Sequence, residues 1–326
     1  TPAGTAVIGA SEPWKLTTAG KLVYFIADGA EHYELWRTDG TPAGTFRVFA
    51  ATGADSVWFG SFAPLGDRVV FSAEIDDELR LYVSDGTPSG TQPFGPSLGD
   101  ANLYELVGVG DQLFASVASS GSNSQLWVFG ADSGRRLTPT AASLDGVWDL
   151  VAFGTGVVFA GDTDGGEHEA LWVSDGTDAG TRLLSPSSSF DSVDDVTVLG
   201  DRVLATVREP AHGRELWVSD GSPGSLRVLE IAAGPAGSDP ENLATLNGLL
   251  HQIAQSHGVA PAEIGSAVIS GNTTMAHLLL GLDPEHIRLE PYTPTVLEVP
   301  YLTARDVGID INPDAWVYLS PAVGSY

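Results

Sequence analysis

Cysteine is absent from the 326-residue sequence, which removes disulfides, thiolate metal sites, cysteine nucleophiles and cysteine-ligated iron–sulfur clusters from its chemistry. Basic residues are scarce: 15 Lys and Arg stand against 42 Asp and Glu, for a formal net charge of −27. A surface of that sign repels nucleic acid and anionic lipid, and no basic patch offsets it, so neither is expected as a partner. Nor does any apolar run reach the roughly 18 residues that a membrane-spanning helix needs, so no membrane insertion is expected. Familiar catalytic motifs are missing as well. There is no Gly-x-Ser-x-Gly elbow, no His-Glu-x-x-His helix and no Gly-x-x-x-x-Gly-Lys-Ser/Thr loop, and enzyme activity has no positive signal.

With 43% hydrophobic and 9% aromatic residues the chain can nevertheless build a core, unlike an acidic disordered tail. Its organisation is repetitive. Glu34-Leu-Trp-Arg-Thr-Asp-Gly-Thr-Pro-Ala-Gly-Thr45 returns as Leu81-Tyr-Val-Ser-Asp-Gly-Thr-Pro-Ser-Gly-Thr91, Leu171-Trp-Val-Ser-Asp-Gly-Thr-Asp-Ala-Gly-Thr181 and Glu215-Leu-Trp-Val-Ser-Asp-Gly-Ser-Pro-Gly-Ser225, with a degenerate copy at Leu126-Trp-Val-Phe-Gly-Ala-Asp132. The aromatic position falls at Trp36, Tyr82, Trp127, Trp172 and Trp217, spaced 46, 45, 45 and 45 residues apart, which is a true internal repeat. A second signature, a polar turn followed by an apolar run, recurs as Gly20-Lys-Leu-Val-Tyr-Phe25, Gly66-Asp-Arg-Val-Val-Phe71, Gly110-Asp-Gln-Leu-Phe114, Gly154-Thr-Gly-Val-Val-Phe159 and Gly200-Asp-Arg-Val-Leu204. Short β-rich segments and frequent glycine turns in a 45-residue unit fit a four-stranded propeller blade better than a sandwich.

Within each unit, Asp39, Asp85, Asp175 and Asp220 are expected to accept bonds from the amides that follow them. Gly40, Gly86, Gly176 and Gly221 should adopt positive φ, so that the chain turns sharply after the aromatic strand. The aromatics themselves are expected to pack between blades. These motifs resemble the bacterial family of ELWxxDGT repeats. The resemblance implies a propeller-like array, a secreted or cell-surface location, and a scaffold or binding role toward a protein or glycan ligand not identified by sequence. Thr1-Pro-Ala-Gly-Thr5 matches Thr41-Pro-Ala-Gly-Thr45, so the array is expected to extend upstream. The stretch 226–248 reads as the opening of a further, cut blade, with residues 1–19 available to complete it.

Near Gly248 the pattern changes. Apolar spacing and a terminal glycine predict a helix over 249–258, a strand over 264–270, and a capped helix over 272–281. The expected architecture is therefore mostly β: a β-propeller-like array of about five or six four-stranded blades over 1–248, followed by a small incomplete α/β segment over 249–326. Val268-Ile-Ser-Gly-Asn-Thr-Thr-Met-Ala-His-Leu-Leu-Leu-Gly-Leu-Asp-Pro284, with Glu290-Pro-Tyr-Thr-Pro294 and Val317-Tyr-Leu-Ser-Pro321, is similar to the ATP-dependent reductive activators of corrinoid proteins. Those carry a domain of the acetate/sugar-kinase, Hsc70 and actin type. The resemblance implies ATP hydrolysis, an iron–sulfur donor, a corrinoid partner and a cytoplasmic location, yet the chain has no cysteine for a cluster. It also stops before the glycine-rich nucleotide-binding region of that family. A splice inside a repeat and at the start of a helix is the pattern expected of a chimera, a misassembled reading frame or an artificial fusion.

Candidate sites are few. Asn272, Thr273 and Thr274 offer an anion contact at a helix N-terminus, or an ordinary cap. Asp162, Asp164 and Glu167 alternate like the front of a calcium loop without the full twelve-residue pattern; the alternatives are calcium, the one cofactor the sequence suggests, and a solvated acidic turn. His32, His168 and His212 follow the repeat, and zinc would need them to converge. The adjacent pairs Asp76/Asp77 and Asp194/Asp195 do not by themselves make a catalytic carboxylate pair. A non-catalytic binding or surface-scaffold module is the expected function. The alternative is a fragment of a corrinoid-protein activator, inactive in this form.

Overall fold

A computed structural model describes residues 13–119, 121–139, 143–163, 168–185, 190–229, 231, 234–240, 246–256, 259–269 and 302–319. The chain divides into two compact units, Thr1–Leu243 and Ala244–Tyr326.

Five four-stranded sheets fill the first unit, each an antiparallel meander in sequence order. The first holds β1 (Trp14–Ala19), β2 (Leu22–Asp28), β3 (Tyr33–Thr38) and β4 (Phe46–Phe49), and the second β5 (Val57–Leu65), β6 (Arg68–Ile75), β7 (Glu78–Ser84) and β8 (Gln92–Pro93). In the third are β9 (Asn102–Val109), β10 (Gln112–Ala118), β11 (Gln125–Gly130) and β12 (Ser133–Arg136), and in the fourth β13 (Asp145–Phe153), β14 (Gly156–Thr163), β15 (His168–Ser174) and β16 (Arg182–Leu183). The fifth is β17 (Ser192–Leu199), β18 (Arg202–Glu209), β19 (Gly213–Ser219) and β20 (Arg227–Leu229). The unit is thus mostly β and propeller-like, as its repeats require. Two expectations change. Residues 14–19 pair with β2 as the opening strand of the first blade rather than complementing a last one. Residues 227–229 close the fifth blade against β19 rather than opening a sixth.

The physical reason for the apolar runs is that each inner sheet is covered on both faces. On β6, Val69, Phe71 and Ala73 pack toward the first blade, while Val70 packs toward the third. On β14, Val157 and Phe159 face the third blade, and Val158 and Ala160 face the fifth. Alternation along a strand therefore separates two interfaces, not core from solvent. The repeat aromatic always takes the face toward the preceding blade: Tyr82, Trp127, Trp172 and Trp217 each join the cluster shared with the blade before. Trp172 is completely buried. Trp36 belongs to none of these clusters, and its Nε1 donates to Glu34 at 3.1 Å.

Corners between third and fourth strands are self-bonded loops. Asp39 Oδ1 accepts from the Thr41 amide at 2.9 Å and from its hydroxyl at 2.7 Å; Asp85 and Asp175 repeat both bonds to Thr87 and Thr177. Asp220 bonds the Ser222 amide and hydroxyl in the same way. Its carboxyl is held at about 2, chiefly by the Ser222 hydroxyl and then by its amide. The second corner glycine leaves room for this carboxylate, since a Cβ on Gly44 would lie 2.0 Å from Asp39 Oδ1. The first glycine has φ of 89°, 88°, 89° and 82° at Gly40, Gly86, Gly176 and Gly221. It also presses on the preceding blade: a Cβ on Gly86 would meet Leu22 at 2.5 Å, and one on Gly221 would meet Phe153 at 2.2 Å. The degenerate third copy replaces this corner by a tight hairpin closed at Gly130 and Ser133.

In the second unit, α1 (Leu246–Ser256) begins three residues before the expected start, and β21 (Ser266–Ile269) runs parallel to β23 (Trp316–Leu319). β22 (Leu302–Thr303) pairs antiparallel on the other side of β23. The earlier helix start brings Asn247 to the Gly308 carbonyl at 2.9 Å and to the Asp310 amide at 2.8 Å. Ala304, Ile309, Ile311, Ala315, Val317 and Leu319 form its core. The helix expected over 272–281 lies outside the described residues.

Two substitutions check these assignments in denaturant melts. Trp172→Ala, opening a cavity between blades, is expected to cost about 3–5 kcal/mol. Gly86→Ala, strained by its positive φ and by Leu22, is expected to cost about 1–3 kcal/mol; an unchanged midpoint for it would contradict the corner geometry.

Candidate functional site

A meander puts the corners and the turns between first and second strands at one end of the blades. The turns between second and third strands, and the connections into the next blade, lie at the opposite end. That opposite end carries the site. Between the first two blades an open cleft of about 440 Å³ is lined by Asp28, Gly29, Glu31, His32, Tyr33, Asp55, Ser56, Val57 and Trp58. One wall is the turn from β2 to β3 and the other is the start of β5.

Both walls are fixed by hydrogen bonds. His32 Nε2 lies 2.9 Å from the Ala54 carbonyl oxygen, which makes it the donor and ties one wall to the other. The Gly29 amide closes its own turn on the His32 carbonyl at 3.0 Å. Asp76 Oδ1 accepts from the amides of Asp55 and Ser56 at 2.7 and 3.1 Å, so this member of the Asp76/Asp77 pair is a brace for the start of β5. Tyr33 and Trp58 face each other across the cleft mouth at 6.2 Å between ring centroids, tilted by 55°. Trp14 adds an edge-on contact to Tyr33 at 5.6 Å. Trp58 is 62% exposed, unusual for a tryptophan without a partner surface. Three exposed carboxylates, Asp28, Glu31 and Asp55, surround the rings.

Other carboxylates bridge neighbouring blades through their first strands. Glu105 Oε2 accepts from the Leu150 amide at 3.1 Å, and Asp149 Oδ2 accepts from the Val196 amide at 3.3 Å. Each donor amide lies in a bulge of the following blade, where the register slips and Asp149 and Asp195 have φ of 52°. Burial pushes the carboxyls of Glu105 and Asp149 up. Asp194 and Asp195 lie 3.5 and 3.6 Å from the Arg214 guanidinium, so this pair is also engaged in the scaffold.

Asp162 stands in a cross-strand row with Asp145 and Glu169. Its carboxyl is pushed up by burial and then by Asp145. The side-chain amides of Asn123 and Gln125 donate to Asp145 at 3.2 and 2.9 Å. Asp164 and Glu167 lie outside the described residues, as do Asn272, Thr273 and Thr274. Among the described residues no group of three or more His, Asp or Glu is arranged to hold a metal ion. His32, His168 and His212 sit on three different blades; His212 bonds Glu209 of its own turn. The corner residues singled out by the repeat lie at the far end of the blades from the cleft. Sequence reasoning missed Tyr33, Trp58 and the three cleft carboxylates because it followed the aromatic strand and the Asp-Gly corner of each unit. Their signal was a second, weaker repeat, since Asp28-Gly-Ala-Glu-His32 returns as Asp164-Gly-Gly-Glu-His168 and Asp55-Ser-Val-Trp58 as Asp145-Gly-Val-Trp148.

Comparison with known proteins divides the chain in the same way. Residues 240–326 match the family described as the RACo middle region. The corrinoid activation enzyme RamQ of Eubacterium limosum is 31% identical over 99 residues, which are 28% of this chain and 17% of RamQ. The chain thus spans less than a fifth of the curated relative that it matches. Dipeptidyl peptidase 4 of Porphyromonas gingivalis superposes with a TM-score of 0.52 at 13% identity, covering 69% of this chain and 40% of the peptidase. The β-propeller domain of the Trilobed protease from Pyrococcus furiosus gives a TM-score of 0.43 at 12% identity, over 67% of this chain and 70% of that domain. At such identities the peptidase likeness concerns the fold alone. No helix among the described residues is long and apolar enough to cross a membrane.

The buried carboxylates set a pH dependence. Because the folded carboxyls of Glu105 and Asp149 titrate above their unfolded values, the folded state binds more protons in that window, and their contribution to stability falls as pH rises through it. Asp149→Asn keeps an acceptor for Val196 and tolerates the positive φ. Its melting temperature relative to the parent is expected to rise between pH 4 and pH 7, and a decline over that range would contradict the assignment.

Proposed function

We propose that the repeat unit is a non-catalytic binding module whose ligand contact is the cleft between the first two blades. One observation carries it: Trp58, 62% exposed, stands beside the half-buried Tyr33 at the mouth of a braced cleft that three exposed carboxylates line. The resemblance to ELWxxDGT repeats supports the same role and a secreted or cell-surface setting. Hydrogen exchange tests it against panels of immobilised glycans and peptides. A true ligand is expected to slow exchange at 28–33 and 55–58 and to raise the melting temperature, because it binds only the folded state. Ligands that protect other segments alone would contradict the site.

Calcium is part of this proposal, with Asp162, Asp164 and Glu167 as the ligands that their spacing in the sequence suggests. Millimolar calcium is expected to raise the melting temperature more than magnesium does. Equal shifts would reduce the effect to charge screening.

For the second unit the match over 240–326 and the identity to RamQ favour a different reading. It is a fragment of an ATP-dependent activator of corrinoid proteins, joined to an array of another kind and inactive in this form. Titration with magnesium-ATP is expected to release no saturable heat; a dissociation constant below about 1 mM would show that nucleotide binding survives.

A further inference from the structure

We infer that the cleft between the first two blades takes a cationic side chain of a peptide, with the arginine guanidinium as its best fit. This rests on reading the repeat unit as a binding module and adds the chemistry of the ligand. Charge is the first argument. Asp28, Glu31 and Asp55 contribute three carboxylates to a lining that contains no Lys or Arg, and none of the three forms an ion pair within the protein among the described residues. Opposite ends of two loops supply them, so a cation between the walls meets carboxylates from both sides. The ordinary route to neutralising such a group, an internal arginine, is used elsewhere in this chain: Arg47 pairs with Glu34, Arg135 with Asp178 and Arg80 with Glu78.

Ring geometry is the second argument, and it is independent of charge. The exposed Trp58 ring and the half-buried Tyr33 ring are tilted by 55° at the mouth, with centroids 6.2 Å apart. Trp14 stands at 76° to Tyr33. Rings at such angles do not make the flat shelf on which successive sugar rings stack. The exposed Trp58 ring offers instead an electron-rich face to a cation, with Tyr33 beside it. A planar guanidinium can lie against one ring while its fork reaches two carboxylates, which the compact lysine ammonium cannot match. The protein already uses this contact internally, with Arg37 stacked 4.1 Å over Phe46. His32 does not compete for the cleft, because its Nε2 proton is committed to Ala54. The volume, about 440 Å³, admits one long side chain with its flanking backbone rather than a folded surface. A net charge of −27 draws basic segments toward the chain from a distance.

Calorimetry and hydrogen exchange on the full chain in 0.15 M salt test this, using N-acetylated, amidated tetra-arginine, tetra-lysine and a neutral glucose tetrasaccharide as probes. Tetra-arginine is expected to bind saturably, to protect 28–33 and 55–58, and to bind more tightly than tetra-lysine. Trp58→Ala is expected to weaken it by about two- to fivefold. The double substitution Asp28→Asn with Asp55→Asn should weaken it further, whereas Asp111→Asn with Asp201→Asn, the same charge removed at exposed turns elsewhere, should change it little. Equal loss in both double variants would overturn the proposal in favour of diffuse acidity. Protection of the same segments by the tetrasaccharide but not by tetra-arginine would overturn the ligand class and leave the binding module standing. Protection of neither segment by any probe would overturn this proposal, and only the wider ligand panels decide the binding module itself. Because Trp58 is largely exposed, its truncation leaves the fold intact, and the unchanged melting temperature of each variant confirms that binding alone is being read.

Discussion

Mutual covering of blade faces is the constraint on which the rest of the repeat unit depends. A single four-stranded meander of this composition would leave apolar side chains exposed on both faces. Phe71 and Val70, neighbours on β6, are completely buried only because different blades cover them. Such an arrangement makes stability a property of adjacent pairs rather than of isolated units. It also explains where the tolerance for variation lies. Corners are confined by their own Asp bonds and by the preceding blade, as Gly86 against Leu22 and Gly221 against Phe153 illustrate. At the opposite end, loops of different composition are carried on the same scaffold, and there the cleft is found.

Acidity serves two distinct purposes within this frame. Exposed corner carboxylates are held ionised by hydroxyls and amides, as at Asp220. Glu105 and Asp149, in contrast, surrender hydration to bond the backbone of the next blade, and burial raises their affinity for protons. The remaining charge faces solvent, and at Asp28, Glu31 and Asp55 it is gathered beside aromatic rings. Net charge alone names no partner; its placement beside Tyr33 and Trp58 is what the proposed cation contact rests on.

Much of the scaffold could be read from the repeats, because a 45-residue period of aromatic, Asp and Gly records one blade after another. Even the direction of Trp172 follows once alternate residues are assigned to alternate interfaces. Three features escaped. The fourth strand of the fifth blade looked like the start of a new unit because its corner, Asp220 to Ser225, is one residue shorter than the others. The first blade's β1 carries no motif of its own, since a bulge interrupts its alternation between Trp14 and Thr17. The cleft was missed although Asp28-Gly-Ala-Glu-His32 and Asp55-Ser-Val-Trp58 return in sequence as Asp164-Gly-Gly-Glu-His168 and Asp145-Gly-Val-Trp148, because the stronger corner motif draws attention to the other end of each blade. In the second unit, helix α1 was foreseen three residues late, because Asn247 reads as a turn residue until Gly308 and Asp310 are seen to hold its side chain.

Native-state hydrogen exchange across β2, β6, β10, β14 and β18 tests the central claim, that each blade is stable only through its neighbours. If the faces are mutually dependent, the amides of these second strands exchange through shared, cooperative openings, and Trp172→Ala accelerates exchange in both the third and the fourth blades. Acceleration restricted to the fourth blade, with the third unchanged, would contradict the account.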